Sequence, residues 1–181
     1  MRIIAGAWRG RKLQAPPGAE TRPTSDRVRQ AMFDMLLHAP WGGRGVIEDA
    51  KVLDAFAGTG ALGLEALSRG AAEAIFFERS PASLKTLRAN IAACDAGARV
   101  SVMPQDVLSC GPGVARNLIF LDPPYGEGVV QRSINILRAQ GWLQPQCLVV
   151  AEMSALAPVV ESGLLLAQRV HGAAQILVWR E

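Results

Sequence analysis

From Lys51 onward the chain alternates short, nearly uninterrupted apolar runs with longer amphipathic ones. KVLDAF (51–56), AIFFE (74–78), RVSVM (99–103), NLIFLD (117–122) and CLVVAE (147–152) are each five or six residues long, and runs of that length without polar alternation suit strands buried on both faces of a sheet. Helical spacing fills the intervals. LGLEALSRG leads to a stop at Gly70, Pro81 opens a helix through about Ala93, and a third helix spans about 129–140. Strand, helix, strand in regular succession implies a doubly wound, mostly parallel sheet with helices on both faces. The tail adds LLLAQRV (164–170) and AQILVWR (174–180) around His171-Gly172-Ala173. It reads as an antiparallel hairpin that completes a seven-stranded α/β sheet.

The first fifty residues follow another pattern. Residues 2–14 mix apolar and basic side chains around Gly6 and Gly10 and predict a β-hairpin. The PPG at 16–18 interrupts regular structure. Thr24 or Ser25 then caps a helix to about His38, with Val28, Met32, Met35 and Leu36 at helical spacing and Arg27, Arg29 and Gln30 elsewhere on its surface. Pro40 and the glycines 42, 43 and 45 end it. The expected division is an amino-terminal hairpin and helix extension, 1–44, followed by the main domain, 45–181.

Composition narrows the class. At 181 residues and 50% hydrophobic content the chain can bury one full core. No apolar run nears the roughly 20 residues a bilayer requires, and no secretory leader is visible. A soluble, cytoplasmic monomer is expected. Cys94, Cys110 and Cys147 are odd in number, widely spaced and flanked by apolar residues, so they read as reduced core residues. With His38 and His171 the only histidines, no metal site is expected. Net charge is +3, unevenly placed. Residues 1–44 hold eight basic side chains against three acidic, a local excess of +5, whereas 45–181 hold eleven against thirteen. Basic charge gathered at one end suits a polyanion-binding edge as well as a solvated face.

The candidate chemistry falls at strand ends, where an open parallel sheet binds its ligands. Asp54, Gly58 and Gly60 follow the first strand, and glycines there let the backbone pass close to a ligand. Gly63 completes the run without forming the full dinucleotide signature. Glu78 closes the second strand, where a carboxylate can accept both hydroxyls of a ribose or stand as a surface acid. Asp106, after the third, fits an adenine amino group or a helix cap equally. The most specific run is Asp122-Pro123-Pro124-Tyr125 after the fourth strand. Two prolines stiffen the turn. The Asp122 carboxylate and the Pro123 carbonyl can together hold the two N–H donors of an aromatic amino group, aiming its lone pair at an electrophile. Tyr125 would stack on the base.

These features together resemble the class I, Rossmann-like methyltransferases, and specifically the bacterial RsmD-like family, which methylates N2 of a guanine in 16S ribosomal RNA. The resemblance rests on MRIIAGAWRGRKL, TRPTSDRVRQAMFDML, DAFAGTGALGLEALSRGA and FLDPPY. It implies S-adenosylmethionine as cofactor, with Asp54, Gly58 and Gly60 around its methionine part, Glu78 on its ribose and Asp106 on its adenine. It implies that residues 22–25, with Arg22 and Thr24, close over cofactor and target base, and that residues 122–125 are catalytic. Arg9, Arg11, Lys12 and Arg27 become candidates for RNA phosphates. The implied partner is 16S ribosomal RNA in an assembled or assembling small subunit, with no membrane and no metal.

Four other readings use the same residues. An amino methyltransferase acting on adenine N6 would need a target-recognition domain for DNA, for which the chain has no room; one acting on a protein glutamine is a second. An idle RNA-binding relative would not need Asp122 and Tyr125. A nicotinamide oxidoreductase is disfavoured by the incomplete glycine signature.

Overall fold

The computed structural model describes residues 1–16, 26–124, 128–158 and 162–181. Among these described residues, four α-helices and seven strands follow the alternation of the sequence. The strands are β1 Lys51–Asp54, β2 Glu73–Phe77, β3 Val100–Met103, β4 Arg116–Leu121, β5 Leu143–Ser154, β6 Leu164–His171 and β7 Ala174–Arg180. The helices are α1 Asp26–His38, α2 Ala61–Ser68, α3 Pro81–Ala93 and α4 Val129–Ala139. They form a single seven-stranded sheet in the order β3-β2-β1-β4-β5-β7-β6. The first five strands pair in parallel, and β7 pairs antiparallel with both β5 and β6. Strand order reverses between β1 and β4, which places the carboxyl ends of those two strands at the crevice.

Successive strand residues point to opposite faces, so each apolar run supplies two cores at once. Val52, Phe76, Leu118, Phe120 and Val150 join Met32, Phe33 and Leu36 of α1, Leu64 of α2 and Leu87 of α3 on one face. Leu53, Ile75, Phe77, Ile119, Leu121 and Val149 pack on the other against Val130, Ile134 and Leu137 of α4 and against Trp142. This is why the central strands read as unbroken hydrophobic runs. The three cysteines are free and buried. No described helix is long and apolar enough to cross a membrane.

The amino-terminal hairpin is present in short form: Arg2 and Lys12 make an antiparallel bridge, Ile3 N–H donates to the Arg11 carbonyl at 2.9 Å, Gly10 N–H to the Ile3 carbonyl at 2.9 Å and Leu13 N–H to the Met1 carbonyl at 3.2 Å. Other donors of the segment reach α2. Ile4 and Ala5 donate to the Glu65 carboxylate at 2.7 and 3.0 Å, Trp8 donates to Ser68 Oγ at 3.0 Å, and Ala7 donates to the Ser68 carbonyl at 2.7 Å. Residues 1–16 therefore form an arm laid on the helices. Two expectations need correction. The first is Arg29, which helical spacing put outside the apolar stripe but which is fully buried. Its guanidinium pairs with Asp26 at 2.9 Å, lies 3.7 Å from Glu65 and donates to the Arg2 carbonyl. The second is β5, longer than 147–152. It pairs with β4 at Leu143, bulges before Leu148 and carries Gln146 at φ +66°; a bulge is where a strand tolerates Pro145. The expected cap at Thr24 or Ser25 lies outside the described residues.

Glu65 is the hub of this arrangement. Its buried carboxylate also takes Arg69 Nε at 2.7 Å. Replacing it with alanine leaves Arg29 and Arg69 short of a counter-charge and two arm N–H groups without an acceptor. Glu65→Ala is expected to destabilise the chain by about 3 to 5 kcal/mol in denaturant unfolding, the usual penalty for stranding a buried charge. A loss below about 1 kcal/mol would show that the Glu65 carboxylate is not what holds the arm.

Candidate functional site

The site grows from the heads of three neighbouring strands. Asp54 is aligned with Phe76 of β2 and with Phe120 of β4. Glu78 and Asp122 each come two residues beyond those partners, so the register brings three carboxylates to one edge of the sheet. The chain then turns sharply into α2. Gly58 and Gly60 adopt φ +52° and +80°, in the left-handed region. A Cβ at Gly60 would come within 2.4 Å of Leu87, and one at Gly63 within 2.3 Å of the Phe76 ring. A Cβ at Gly58 would meet nothing within 4 Å. Gly60 and Gly63 thus let the loop and helix close onto the core, while Gly58 presents bare backbone to open space.

Asp54 is almost fully buried and pinned from one side. Its Oδ2 accepts from Gly63 N–H in the first turn of α2 at 3.0 Å, and its buried Oδ1 has no hydrogen-bond partner of good geometry. Burial pushes its carboxyl up to about 7; Gly63 N–H pulls the other way, the negative charges of Asp122 and Glu78 raise it further, and the Phe56 backbone lowers it slightly. An acceptor without a donor is costly to bury. It fits a ligand that brings an N–H donor or a positive charge.

Glu78 ties the loop to β2: Oε2 accepts from Gly58 N–H at 2.8 Å and Oε1 from Ser80 N–H at 2.7 Å. Each oxygen retains a lone pair for a hydroxyl. Asp106 is more committed, its Oδ1 capping a short helical turn through Leu108 N–H at 2.9 Å and its Oδ2 pairing with Arg79 at 2.7 Å. Of the two roles its sequence position allows, the structure displays the cap. Asp122 and Pro123 are half-buried and Pro124 is exposed at the head of β4. Tyr125 lies outside the described residues, as do Arg22 and Thr24.

The basic candidates sit on the arm and α1. Arg9, Arg11, Lys12 and Arg27 are exposed, whereas Arg29, counted in the same basic excess, serves the interior. Arg11 donates to the carbonyl of Ala93 at the end of α3. One turn earlier, Asn90 binds both the arm at Gln14 and the glycine loop at Thr59. Sequence reasoning missed Asn90. Its signal was a polar residue between Leu87 and Ile91 on the buried stripe of α3.

Residues 1–179 match the family described as Conserved hypothetical protein 95. The chain is 44% identical over 166 residues to "Ribosomal RNA small subunit methyltransferase D" of Escherichia coli strain K12, covering 91% of this chain and 77% of that one. It is 35% identical over 157 residues to "Putative rRNA methyltransferase YlbH" of Bacillus subtilis, covering 84% and 82%. Among solved structures it superposes on "Putative methyltransferase yhhF from Escherichia coli" with a TM-score of 0.86 at 39% identity, covering 100% and 97%. The fold is that of the α/β class I methyltransferases.

The buried carboxyl of Asp54 has a consequence for stability that needs no ligand. Its folded value, about 7, lies above the ordinary aspartate value near 3.9. The contribution is fully present below the unfolded value and is lost as pH rises through 7. Asp54→Asn removes this dependence and keeps an acceptor for Gly63. The variant is expected to gain on the order of 2 kcal/mol relative to wild type between pH 5 and pH 8 in denaturant melts. A difference that stays flat across that interval would remove the protonation argument.

Proposed function

Since the chain belongs to the RsmD family of ribosomal RNA small subunit methyltransferases, we propose that it transfers a methyl group from S-adenosylmethionine to N2 of a guanine in 16S ribosomal RNA. The observation that carries this reading is the convergence of Asp54, Glu78 and Asp122 beside a glycine loop, with one buried carboxylate oxygen left unsatisfied. The cofactor suits such a place because it carries two positive charges, an ammonium and a sulfonium, near hydroxyls.

In this reading Asp54 Oδ1 takes the ammonium end, and the bare backbone at Gly58 and Gly60 lines the methionine portion. Glu78 accepts from the ribose hydroxyls with its remaining lone pairs. For Asp106 the adenine role competes with its cap and its pair to Arg79. When bound, the cofactor supplies a methyl group already activated by the adjoining positive sulfur, so the chain needs to position and desolvate rather than to provide a strong base.

Asp122 and the Pro123 carbonyl hold the exocyclic amino group of the target guanine. Holding both N–H bonds draws the nitrogen lone pair out of conjugation with the ring, and the carboxylate balances the positive charge that develops on nitrogen. Tyr125 stacks on the base, while Arg22 and Thr24 belong to the segment that closes over it. The guanine must be unpaired or turned out of its stack to reach this pocket. The basic arm engages phosphates of 16S ribosomal RNA, presented by an assembled or assembling small subunit.

Incubation with labelled S-adenosylmethionine and small subunits, followed by nucleoside mass spectrometry, is expected to yield N2-methylguanosine. Label only in protein or in N6-methyladenosine would refute the assignment. In the same assay Asp122→Ala is expected to cut single-turnover methyl transfer by about a hundredfold or more with cofactor affinity nearly intact. Full activity in that variant would sink the role of the carboxylate.

The arm has its own test. Replacing Arg9, Arg11 and Lys12 together by alanine is expected to weaken RNA binding and lower the salt slope by about two to three, roughly one for each phosphate no longer neutralised. An unchanged slope would assign these side chains to a merely solvated face.

A further inference from the structure

Asn90 is fully buried on α3, and all the polar capacity of its amide is turned toward two distant parts of the chain. Its Oδ1 accepts from Gln14 N–H at 2.8 Å. Its Nδ2 donates to the Gln14 carbonyl at 3.1 Å and to the Thr59 carbonyl at 2.9 Å. The pairing leaves no freedom to rotate the amide: one N–H needs an oxygen, and two carbonyls need a nitrogen. Thr59 stands between Gly58 and Gly60 in the loop, and Gln14 follows the basic turn of the arm. Arg11, three residues before Gln14, rests on the Ala93 carbonyl three residues beyond Asn90. One side chain thus spans the two surfaces that cofactor and RNA would use.

We infer that Asn90 is a positioning residue that couples occupancy of the glycine loop to ordering of the RNA-binding arm. The inference rests on the functional reading above. A ligand seated against Gly58 and Gly60 restrains the Thr59 carbonyl, a restrained Thr59 holds the amide of Asn90, and the amide holds both backbone polar groups of Gln14. Ordering that the first ligand has already brought about need not be repeated for the second, so the two bind with positive linkage. The enzyme would present its arm to RNA in the methyl-donor-loaded state more often than in the empty one.

The test uses the whole chain and S-adenosylhomocysteine, without RNA. Residue-resolved amide exchange is followed with and without the ligand, taking α4, on the opposite face of the sheet, as the reference. In wild type the ligand is expected to slow exchange at Gln14 and along the arm by fivefold or more beyond any change in α4. Asn90→Asp preserves the oxygen that Gln14 N–H uses and sets a second oxygen against the carbonyls of Gln14 and Thr59. In this variant the glycine loop should still slow on ligand binding while the arm does not. Asn90→Ala offers the same comparison should the aspartate variant fail to fold by circular dichroism. A wild-type arm unmoved by bound ligand, or an arm protected equally in a folded Asn90 variant, overturns the coupling and leaves the functional reading standing. Absence of any calorimetric or thermal response to S-adenosylhomocysteine overturns the functional reading, and the coupling with it.

Discussion

A carboxylate sealed from water must find donors, and Glu65 finds them in three places at once. The arm offers the N–H groups of Ile4 and Ala5, α1 sends Arg29 inward, and α2 supplies Arg69 from one turn on. The arm and α1 are arranged around this requirement. Arg69 in turn lies 4.6 Å from the centre of the Phe33 ring, so the charged cluster is roofed by the aromatic face of α1. Ionic groups inside a protein are poor sources of net stability but strong selectors of one arrangement over others. Here the arrangement selected is a short hairpin whose outward donors, Ile4 and Ala5, are engaged with a helix.

The same helix governs the other end of the molecule. The first turn of α2 faces Asp54 through Gly63, while Glu65 and Ser68, farther along, grip the arm. A displacement of α2 would therefore disturb both the acidic edge and the basic segment. The acidic edge is a conflict by itself: burial and two like charges oppose the ionised form of Asp54, and the backbone of Gly63 and, more weakly, of Phe56 supports it. Native chains tolerate such conflicts where a ligand resolves them. Under the proposed function, this local cost leaves a counter-charge already oriented for a cationic ligand.

Much of the fold was legible in the sequence because both faces of the central strands are covered. KVLD, EAIFF and RNLIFL admit no polar alternation, and the turn glycines mark where each run ends. The carboxylates at the strand heads were legible for the same reason, since the register of a parallel sheet fixes which residues share an edge. What escaped were pairings across long separations. Nothing near Arg29 in the sequence announces that Glu65 awaits it, and helical spacing alone assigns an arginine to water. Asn90 and Glu65 betray themselves only as polar residues on otherwise apolar stripes, which signals a buried partner without naming it. The β5 extension was hidden by Pro145, whose usual meaning as a strand breaker yields at a bulge.

The arm also bears on how the chain reaches its folded state. The bonds that hold it join Ile4 and Ala5 to Glu65 and Gln14 to Asn90, separations of 61, 60 and 76 residues. Synthesis proceeds from the amino terminus, so the arm, made ahead of its partners, has nowhere to dock until α2 and then α3 have left the ribosome. Contacts of such range are formed late and slow the search. Ile3 and Leu13, buried at the end, remain in water meanwhile. The arm is thus made before the helices that hold it, and during translation it offers chaperones an apolar, positively charged segment.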